Sequence, residues 1–313
     1  MRAIDYFEAS DYNDESLVKL KGNKKIYVIF STFGEREAEL IYKKIKLIDA
    51  MQCVDEIFVS HRRVDDEKEE LTEIKAKQAS SRAKVILCNT INVPDMGIEK
   101  GKGADMRRSL YYLITGHKAD MNNTVVVFLD ADVLAKYFGT HFVLGLAGAV
   151  LQGYDFAKAS FWRQMGRVKK YVAQPLFSAI AHSNLEPLRQ FAYPLSGEVA
   201  GTLSFFTKVS FWQMYGVETG INIDAVLGNY KIADVNLGLY DHEHHGDVNI
   251  QKMSFGVIRT FLLQLVEYGY IELKNGAEIS DIFQAQYIDE QGKRQSLEFN
   301  LSEKRYAPLC TTI

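Results

Sequence analysis

A run of β-branched and aromatic residues ends in two aspartates, and this feature constrains the fold more than any other. Residues 124–129 read TVVVFL, and Asp130 and Asp132 follow at once. Such a run is typical of a central parallel strand covered on both faces, and open α/β sheets place ligand-binding groups at the carboxyl ends of such strands. Mg²⁺ and Mn²⁺ prefer hard oxygen ligands and are commonly shared between protein carboxylates and a substrate diphosphate. The pair therefore predicts a nucleotide-diphosphate site; the alternative is that both aspartates only cap a loop.

Strands alternate with helices in the part of the chain that leads up to this run. Apolar runs at 25–30, 56–60 and 84–88 have strand character. Apolar residues recur at helical spacing between residues 40 and 51, and a further helix is expected at 105–114. This alternation predicts the parallel sheet of an α/β fold.

The two ends of the chain carry weaker patterns. Residues before Lys24 are polar and mixed, and they are expected to form a surface arm or an irregular lead-in. Near the other end, polar and apolar residues alternate over 296–301, which predicts an edge strand.

The composition is that of an ordinary globular protein. Of 313 residues, 47% are hydrophobic and 25% are charged, and a net charge of −3 gives no general attraction to nucleic acid or to an anionic membrane. The longest apolar run, 142–151, is well short of the roughly 20 residues that a membrane span needs, and it is expected to be a core helix. Three scattered cysteines and the lack of an apolar signal segment favour a reducing cytoplasm.

Basic groups in two places could bind an anion. Lys102 stands between two glycines before a helix, so the backbone there could approach a phosphate; the alternative is an exposed turn. Arg107 and Arg108 on that helix are expected to be solvated. Residues 158–163 and 166–170 form a basic and partly aromatic cluster, which predicts either an anion pocket or a solvated face.

Acidic residues and histidines in the second half of the chain have two interpretations each. Glu198 and Glu218 lie near glycines in loop-like settings, where either could cap a helix or bond sugar hydroxyls, while Asp224 is expected to be structural. The segment from His242 to His245 could complete a metal shell begun by the aspartates or be an inert surface loop. The spacing of a hydrolytic zinc helix is absent.

Taken in order, these segments resemble the retaining GT-A glycosyltransferases that make glucosyl-3-phosphoglycerate, with the mannosylglycerate synthases as a related group. The resemblance covers about residues 25 to 245 and rests on motifs that occur in the same order. They are Gly101-Lys102-Gly103, Asp130-Ala131-Asp132, Gly166-Arg167-Val168, residues 194–198, residues 215–224, residues 235–238 and His242.

The resemblance implies an α/β fold of GT-A type, with a Rossmann-like, mainly parallel sheet flanked by helices. It implies one continuous domain, in which residues 1–135 bind the nucleotide sugar and residues 136–313 form an acceptor-binding half with a C-terminal extension. The implied reaction is the metal-dependent, retaining transfer of glucose or mannose from UDP- or GDP-hexose to 3-phosphoglycerate or a similar small acid. Mg²⁺ or Mn²⁺ is the implied cofactor, and a homodimer is the implied assembly.

The resemblance also assigns roles to particular residues. Asp132 and His242 would ligate the metal with support from Asp130, and Glu218 would lie near the anomeric centre and orient the acceptor hydroxyl. The nucleotide would be held by Ser31, Thr32, Phe33, Glu35 and Lys102, the last facing the diphosphate. The donor sugar and the acceptor would be bound by Gly197, Glu198 and Arg167.

The chain departs from the family pattern around the acceptor. Gln164 and Met165 interrupt a glycine-rich segment, Lys169 stands where a hydroxyl residue is usual, and Tyr240 and His244 replace an expected Arg and Asn. Lys169 and His244 are therefore candidate acceptor ligands, and unphosphorylated glycerate is a second possible acceptor. Two different functions also fit a nucleotide-binding α/β sheet with metal carboxylates, namely a nucleotidyltransferase and an inactive nucleotide-sugar-binding protein.

Overall fold

The chain forms one large sheet with helices on both faces. A computed structural model describes residues 3–242 and 246–313. Its strands are β1 (Asp5–Glu8), β2 (Lys25–Phe33), β3 (Glu56–Arg62), β4 (Ala83–Leu87), β5 (Thr124–Asp130), β6 (Phe156–Trp162), β7 (Val199–Thr202), β8 (Phe211–Trp212), β9 (Ile232–Leu239), β10 (Ile282–Ile288), β11 (Arg294–Asn300) and β12 (Arg305–Tyr306). Its helices are α1 (Asp14–Lys21), α2 (Ala38–Asp49), α3 (Leu71–Ala79), α4 (Lys102–Thr115), α5 (His141–Leu151), α6 (Gln174–Ala179), α7 (Leu203–Lys208), α8 (Val217–Leu227) and α9 (Asp247–Glu267).

The main sheet has eight strands in the order β1-β9-β6-β7-β5-β2-β3-β4. Strand β7 is antiparallel to both of its neighbours, β5 and β6, and the other neighbouring strands pair in parallel. The carboxyl ends of β2, β5, β6 and β9 therefore meet at one edge of the sheet. The prediction of a mainly parallel α/β sheet is confirmed, and this edge is where ligands bind in open α/β folds.

Strand β5 is buried on both faces because its alternate side chains enter two different cores. Val125, Val127 and Leu129 pack with α2 and α5 on one face of the sheet. Val126 and Phe128 pack with α4, α7 and α8 on the other. The apolar run thus ends at Asp130 because the chain leaves the covered part of the sheet there.

The prediction of a surface arm before Lys24 was wrong. Strand β1 pairs in parallel with β9 at the edge of the main sheet, with Phe7 opposite Val235. Leu17 of α1 is fully buried, and the ring of Tyr12 packs where a side chain on Gly148 would otherwise lie. These elements are short and each buries few apolar residues, so periodicity could not reveal them.

The prediction that Arg107 and Arg108 are solvated was also wrong, because both are almost completely buried. Arg107 donates from both terminal nitrogens to Asp95 at 2.7 and 2.6 Å. Arg108 donates at 2.8 Å to the carbonyls of Gly97 and Glu99, so the two side chains fix the loop that leads into α4.

The C-terminal part adds a hairpin outside the main sheet. The predicted edge strand at 296–301 corresponds to β11, which pairs antiparallel with β10 in a separate two-stranded sheet. Strand β12 pairs antiparallel with β8. Within the described parts of the chain, no helix combines the length and the apolar character needed to cross a membrane.

Candidate active site

An open cavity lies at the edge of the sheet where the strands end. Asp130 ends β5, Arg163 follows β6, and His242 follows β9 and pairs with Val133 in an isolated β-bridge. Three strands that are distant in sequence therefore bring these side chains together. Further lining residues include Arg167, Lys169, Tyr193, Ser196, Gly197, Glu198 and Tyr240.

Asp132 and His242 form the pair that best fits a divalent cation. Oδ2 of Asp132 lies 3.9 Å from Nδ1 of His242, which is within reach of one cation with bonds of about 2.1 Å. In residues 3–242 and 246–313 there is no cluster of three or more His, Cys, Asp or Glu side chains arranged for a metal. The donor set fits Mg²⁺ or Mn²⁺, since such ions usually complete their shell with waters and substrate phosphates.

Asp130 faces Lys102 instead of completing a three-residue metal shell. Nζ of Lys102 lies 2.5 Å from Oδ1 of Asp130 and 2.9 Å from Oε1 of Glu218, so one ammonium bridges two carboxylates. Burial alone would raise the pKa of Asp130, but the charge of Lys102 outweighs it and holds that pKa below its usual value. Burial likewise acts to lower the pKa of Lys102, yet Asp130 and Glu218 raise it.

Gly197 is required for this arrangement. A Cβ atom at residue 197 would overlap with Nζ of Lys102 and with Oδ2 of Asp130. The backbone therefore passes directly over the ion pair, and a side chain there would separate the two charges.

Glu198 is fully buried beside the cavity, where two hydroxyl groups donate to it. Oγ of Ser196 bonds Oε2 at 2.8 Å, and Oη of Tyr240 bonds Oε1 at 2.8 Å. Burial and the charge of Asp130 raise the pKa of Glu198 to about 7. Tyr240, one of the departures from the family pattern, thus serves as a partner for this carboxyl group.

Two lysines are buried near the site; Lys44 was not predicted, and Lys158 was predicted only as part of the basic cluster. Nζ of Lys44, on α2, donates to the backbone carbonyls of Ala131 at 2.6 Å and Asp130 at 3.2 Å. Nζ of Lys158 donates to the carbonyl of Ser196 at 2.8 Å, and burial lowers the pKa of each lysine to about 8. Lys158 is buried, so the solvated-face interpretation of the basic cluster does not hold at that residue. For Lys158 the available signal was a single lysine in the otherwise apolar β6, and Lys44 had no such signal because Lys43 and Lys46 lie beside it.

Arg163 contacts the imidazole of His242. Its Nη1 lies 2.5 Å from Nε2 of His242, and its Nε lies 3.3 Å from Oδ1 of Asp241. A guanidinium group only donates, so Nε2 of His242 accepts this bond. Nη2 of Arg163 also lies 3.3 Å from Nδ1, the ring nitrogen that is nearer to Asp132.

The predicted acceptor ligands Arg167 and Lys169 line the cavity from the segment that follows β6. Arg167 pairs with Asp247 at 2.6 Å, and Nζ of Lys169 lies 5.0 Å from the ring centre of Tyr193. Burial and the charge of Lys170 lower the pKa of Lys169. His244 was also predicted here, and it lies outside the described residues.

The prediction of a nucleotide loop at residues 31–35 was wrong in part, because Ser31, Thr32 and Phe33 are the last residues of β2, next to β5, and only Glu35 follows the strand. Ser31 is opposite Asp130 in the sheet register, and Oγ1 of Thr32 bonds Nδ1 of His61 at 2.9 Å. The side chain of Phe33 is exposed. Oε1 of Glu35 accepts the backbone N–H of Leu71 at 2.9 Å, so this carboxylate binds the first residue of α3.

Glu218 is not among the residues that line the cavity of Asp130 and His242. It lines a narrow crevice together with Lys158, Gly197 and Val217. The structure thus groups Asp130, Lys102, Gly197 and Glu218 at the base of the site, and it places the Asp132–His242 pair just beyond the end of β5.

Comparisons with known proteins agree with this architecture, although no protein-family model matches the chain. The glucosyl-3-phosphoglycerate synthase of Petrotoga mobilis is 32% identical over 289 residues, covering 86% of this chain and 82% of the relative. That of Mycolicibacterium paratuberculosis is 30% identical over 262 residues, covering 77% of this chain and 73% of the relative.

Solved structures with the same fold cover nearly the whole chain. The crystal structure of mannosyl-3-phosphoglycerate synthase from Rubrobacter xylanophilus has a TM-score of 0.82 at 23% identity, covering 99% of this chain and 96% of the other. The glucosyl-3-phosphoglycerate synthase of Mycobacterium tuberculosis, in complex with Mn²⁺, UDP and phosphoglyceric acid, has a TM-score of 0.76 at 26% identity. That match covers 98% of both chains.

The fold and these matches define a glycosyltransferase of GT-A type, which confirms the predicted fold class and decides against a nucleotidyltransferase. The chain belongs to the glucosyl-3-phosphoglycerate synthase family.

Proposed function

We propose that this protein transfers glucose from UDP-glucose to 3-phosphoglycerate, with retention of configuration and with Mn²⁺ or Mg²⁺ as cofactor. The observation that carries the proposal is that one cavity combines His242, paired with Asp132, and the basic side chains of Arg167 and Lys169. The first pair suits a metal–diphosphate, and the basic side chains suit a small phosphorylated acid. The M. tuberculosis relative has been crystallised with Mn²⁺, UDP-glucose and phosphoglyceric acid, and with Mg²⁺ and UDP.

Asp132 and His242 would hold the metal. The bound ion would supply electrostatic stabilisation of the charge that develops on the departing diphosphate. Asp130 would act by holding Lys102 in place, and Lys102 would face the diphosphate from the base of the site. Ser31, Thr32, Phe33 and Glu35 would bind the uridine.

Retention would follow a front-face substitution. Oε1 of Glu218 is already paired with Nζ of Lys102 at 2.9 Å, which makes that carboxylate a poorer nucleophile and suits it to orienting the acceptor hydroxyl. The departing diphosphate oxygen would accept the proton of the hydroxyl as the new glycosidic bond forms.

The acceptor would be phosphorylated because the cavity offers two cationic side chains. Arg167 can bind a phosphate through two parallel hydrogen bonds, and Lys169 would add a point charge. Plain glycerate carries a single carboxylate and would use only part of this positive charge. Gly197 and Glu198 would contact the donor sugar.

We further propose that residues 1–135 bind the donor and residues 136–313 the acceptor, in a cytoplasmic homodimer. The hairpin β10–β11 supports an interface, since the side chains of Ile282 and Ile288 are 44% and 64% exposed on it. Sedimentation velocity would test the dimer: a single species at the monomer mass would contradict it.

An activity assay with different donors and acceptors tests the reaction. The purified chain is incubated with Mn²⁺, with UDP- or GDP-glucose and with phosphoglycerate or glycerate, and nucleoside diphosphate and the glycoside are measured. We expect UDP release with an α-linked product from UDP-glucose and phosphoglycerate, and at least a roughly 10-fold lower kcat/KM with glycerate, about the value of one lost ionic contact. A β-linked product would refute retention, and absence of product with all donors would favour the inactive binding protein.

The metal assignment has its own variant. Asp132→Ala should lower turnover about 100-fold or more, because losing a ligand should cost at least as much as losing a partner that only supports one, which costs about 10- to 100-fold. Asp120→Ala is the matched control, since Asp120 contacts Asn122 and Asn123 on a surface turn before β5, at the strand end away from the cavity. Wild-type turnover by the Asp132 variant would show that the metal lies elsewhere.

A further inference from the structure

Glu303 lies in the segment that follows the hairpin, and its carboxylate collects three backbone N–H groups. Oε2 accepts from Met214 and from Gly216, each at 3.1 Å, and Oε1 accepts from Tyr215 at 3.0 Å. The residue is 6% exposed. Three consecutive amides on one buried carboxylate hold that loop in a single conformation, because each unpaired buried N–H would cost free energy.

The loop that Glu303 binds leads directly into α8. That helix begins at Val217, and its second residue is Glu218, which pairs with Lys102. Glu303 therefore fixes the backbone two residues before a carboxylate at the base of the site.

The same C-terminal segment also reaches the turn that carries Lys102. The backbone N–H of Gln213 donates to the carbonyl of Lys304 at 2.9 Å. The side-chain amide of Gln213 donates to the carbonyl of Lys100 at 2.9 Å. The backbone carbonyl of Gln213 accepts from the backbone N–H of Ala104 at 3.1 Å. Gln213 thus connects the C-terminal segment to both ends of the turn around Lys102.

The two glycines that flank Lys102 have their explanation here. A Cβ on Gly101 would overlap with the carbonyl of Gln213, and a Cβ on Gly103 would overlap with the carbonyl of Trp212. The Gly-Lys-Gly motif therefore lets the Lys102 turn pack against the backbone of Trp212 and Gln213. Trp212 belongs to β8, which pairs with β12 of the C-terminal segment.

Helix α9 leaves room for the carboxylate. A Cβ on Gly256 would lie 2.8 Å from Cβ of Tyr215 and 3.1 Å from Oε1 of Glu303. A larger residue at position 256 would push the 214–216 loop away from Glu303. Glycine at this position of α9 therefore provides the space that the loop and the carboxylate occupy.

We propose that residues 303–306 form a positioning segment for catalysis, in which Glu303 holds the 214–216 loop so that Glu218 and Lys102 stay paired under the donor. The inference rests on the proposed function, because it assigns Lys102 and Glu218 to the transfer reaction. Glu303 is not among the residues that line the cavity, and it acts through the loop it binds.

Glu303→Gln and Glu303→Ala test the proposal together with a matched control. Gln keeps the length and one acceptor oxygen, and Ala removes both oxygens. Asp14→Asn is the control, since Asp14 accepts the N–H groups of Gln52 and Cys53 at 2.7 and 2.8 Å in the loop that leads into β3. Steady-state kinetics and amide hydrogen exchange are measured for all three variants and for the wild type.

We expect kcat to fall about 10-fold for Glu303→Gln and about 100-fold for Glu303→Ala, with KM for both substrates within about two-fold of wild type, because small misplacements of reacting groups act on the transition state. Exchange in a peptide spanning 212–220 should be at least roughly 10-fold faster in both variants, as expected when a local opening becomes easier. Asp14→Asn should speed exchange only around residues 52–53 and leave kcat unchanged.

Wild-type kcat in Glu303→Ala, or a kcat loss in Asp14→Asn of the same size, would overturn the positioning role. Unchanged exchange over 212–220 in both Glu303 variants would overturn it independently of any activity. If the wild type has no transferase activity, the proposed function fails while the exchange data still test whether Glu303 orders the loop.

Discussion

Glu198 is an acid whose environment favours the protonated form. Its pKa is raised from 4.5 to about 7, first by burial and then by Asp130. Between those pH values the folded state binds more protons than the unfolded state, so this group makes the protein less stable as pH rises through the window.

Glu198→Gln should remove that pH dependence. The amide is neutral at every pH, so relative to wild type the variant should gain on the order of 3 kcal/mol in free energy of unfolding between about pH 4.5 and about pH 8. Urea denaturation at both pH values measures the difference. If the free energies of unfolding of the two proteins differ by the same amount at both pH values, the pKa of Glu198 in the folded protein is not raised.

At the scale of single residues, the sequence indicated which polar groups exist but not which are buried. Arg107 and Arg108 were expected in solvent, because a charged pair on an amphipathic helix is usually solvated, yet they satisfy loop carbonyls and Asp95. Burial of a charge depends on partners that lie far away in the chain, and no local pattern reports them.

At the scale of elements, helix α2 supports the end of strand β5. Nζ of Lys44 bonds the carbonyl of Ala131, the residue between Asp130 and Asp132, and lies 5.0 Å from the ring centre of Phe138. The lysine thereby holds the turn on which both aspartates depend.

Lys44→Met should therefore weaken the metal site. Methionine fills a similar volume but donates no hydrogen bond, and loss of a partner behind metal ligands typically costs about 10- to 100-fold in affinity or activity. We expect the Mn²⁺ concentration at half-maximal activity to rise about 10-fold, at the lower end of that range. Lys46→Met is the control, since Lys46 lies on the same helix and contacts the ring of Tyr42. Equal metal dependence in the two variants would argue against the support role.

The strongly apolar strands and the βα order could be predicted from the sequence, because central parallel strands are continuous apolar runs. Strand β1 could not, since four residues with one half-buried position carry no periodic signal. The meeting of Asp132 and His242 depends on the order of β5, β7, β6 and β9 across the sheet, which is a long-range property. The residues alone left His242 either as part of a metal shell with the aspartates or in an inert loop, and the family resemblance favoured the metal shell.

At the scale of the whole molecule, the metal site is incomplete without the nucleotide. The protein offers Asp132 and His242, whose ligand atoms are 3.9 Å apart, and Arg163 already bonds Nε2 of the imidazole. A cation bound to the protein alone must compete with water for most of its shell, whereas a diphosphate adds oxygen ligands in the same cavity.

Mn²⁺ and UDP should accordingly stabilise the folded protein cooperatively. At about 100 times its dissociation constant, the Mn²⁺–UDP pair should add about 2.7 kcal/mol to the free energy of unfolding, while either one alone at the same concentration should add much less. Thermal unfolding with Mn²⁺, with UDP, with both, and with both plus EDTA measures this. Asp132→Ala should abolish the excess of the combined effect over the sum of the separate effects. A full shift with Mn²⁺ alone would contradict the prediction, because the chain would then bind the cation without the diphosphate.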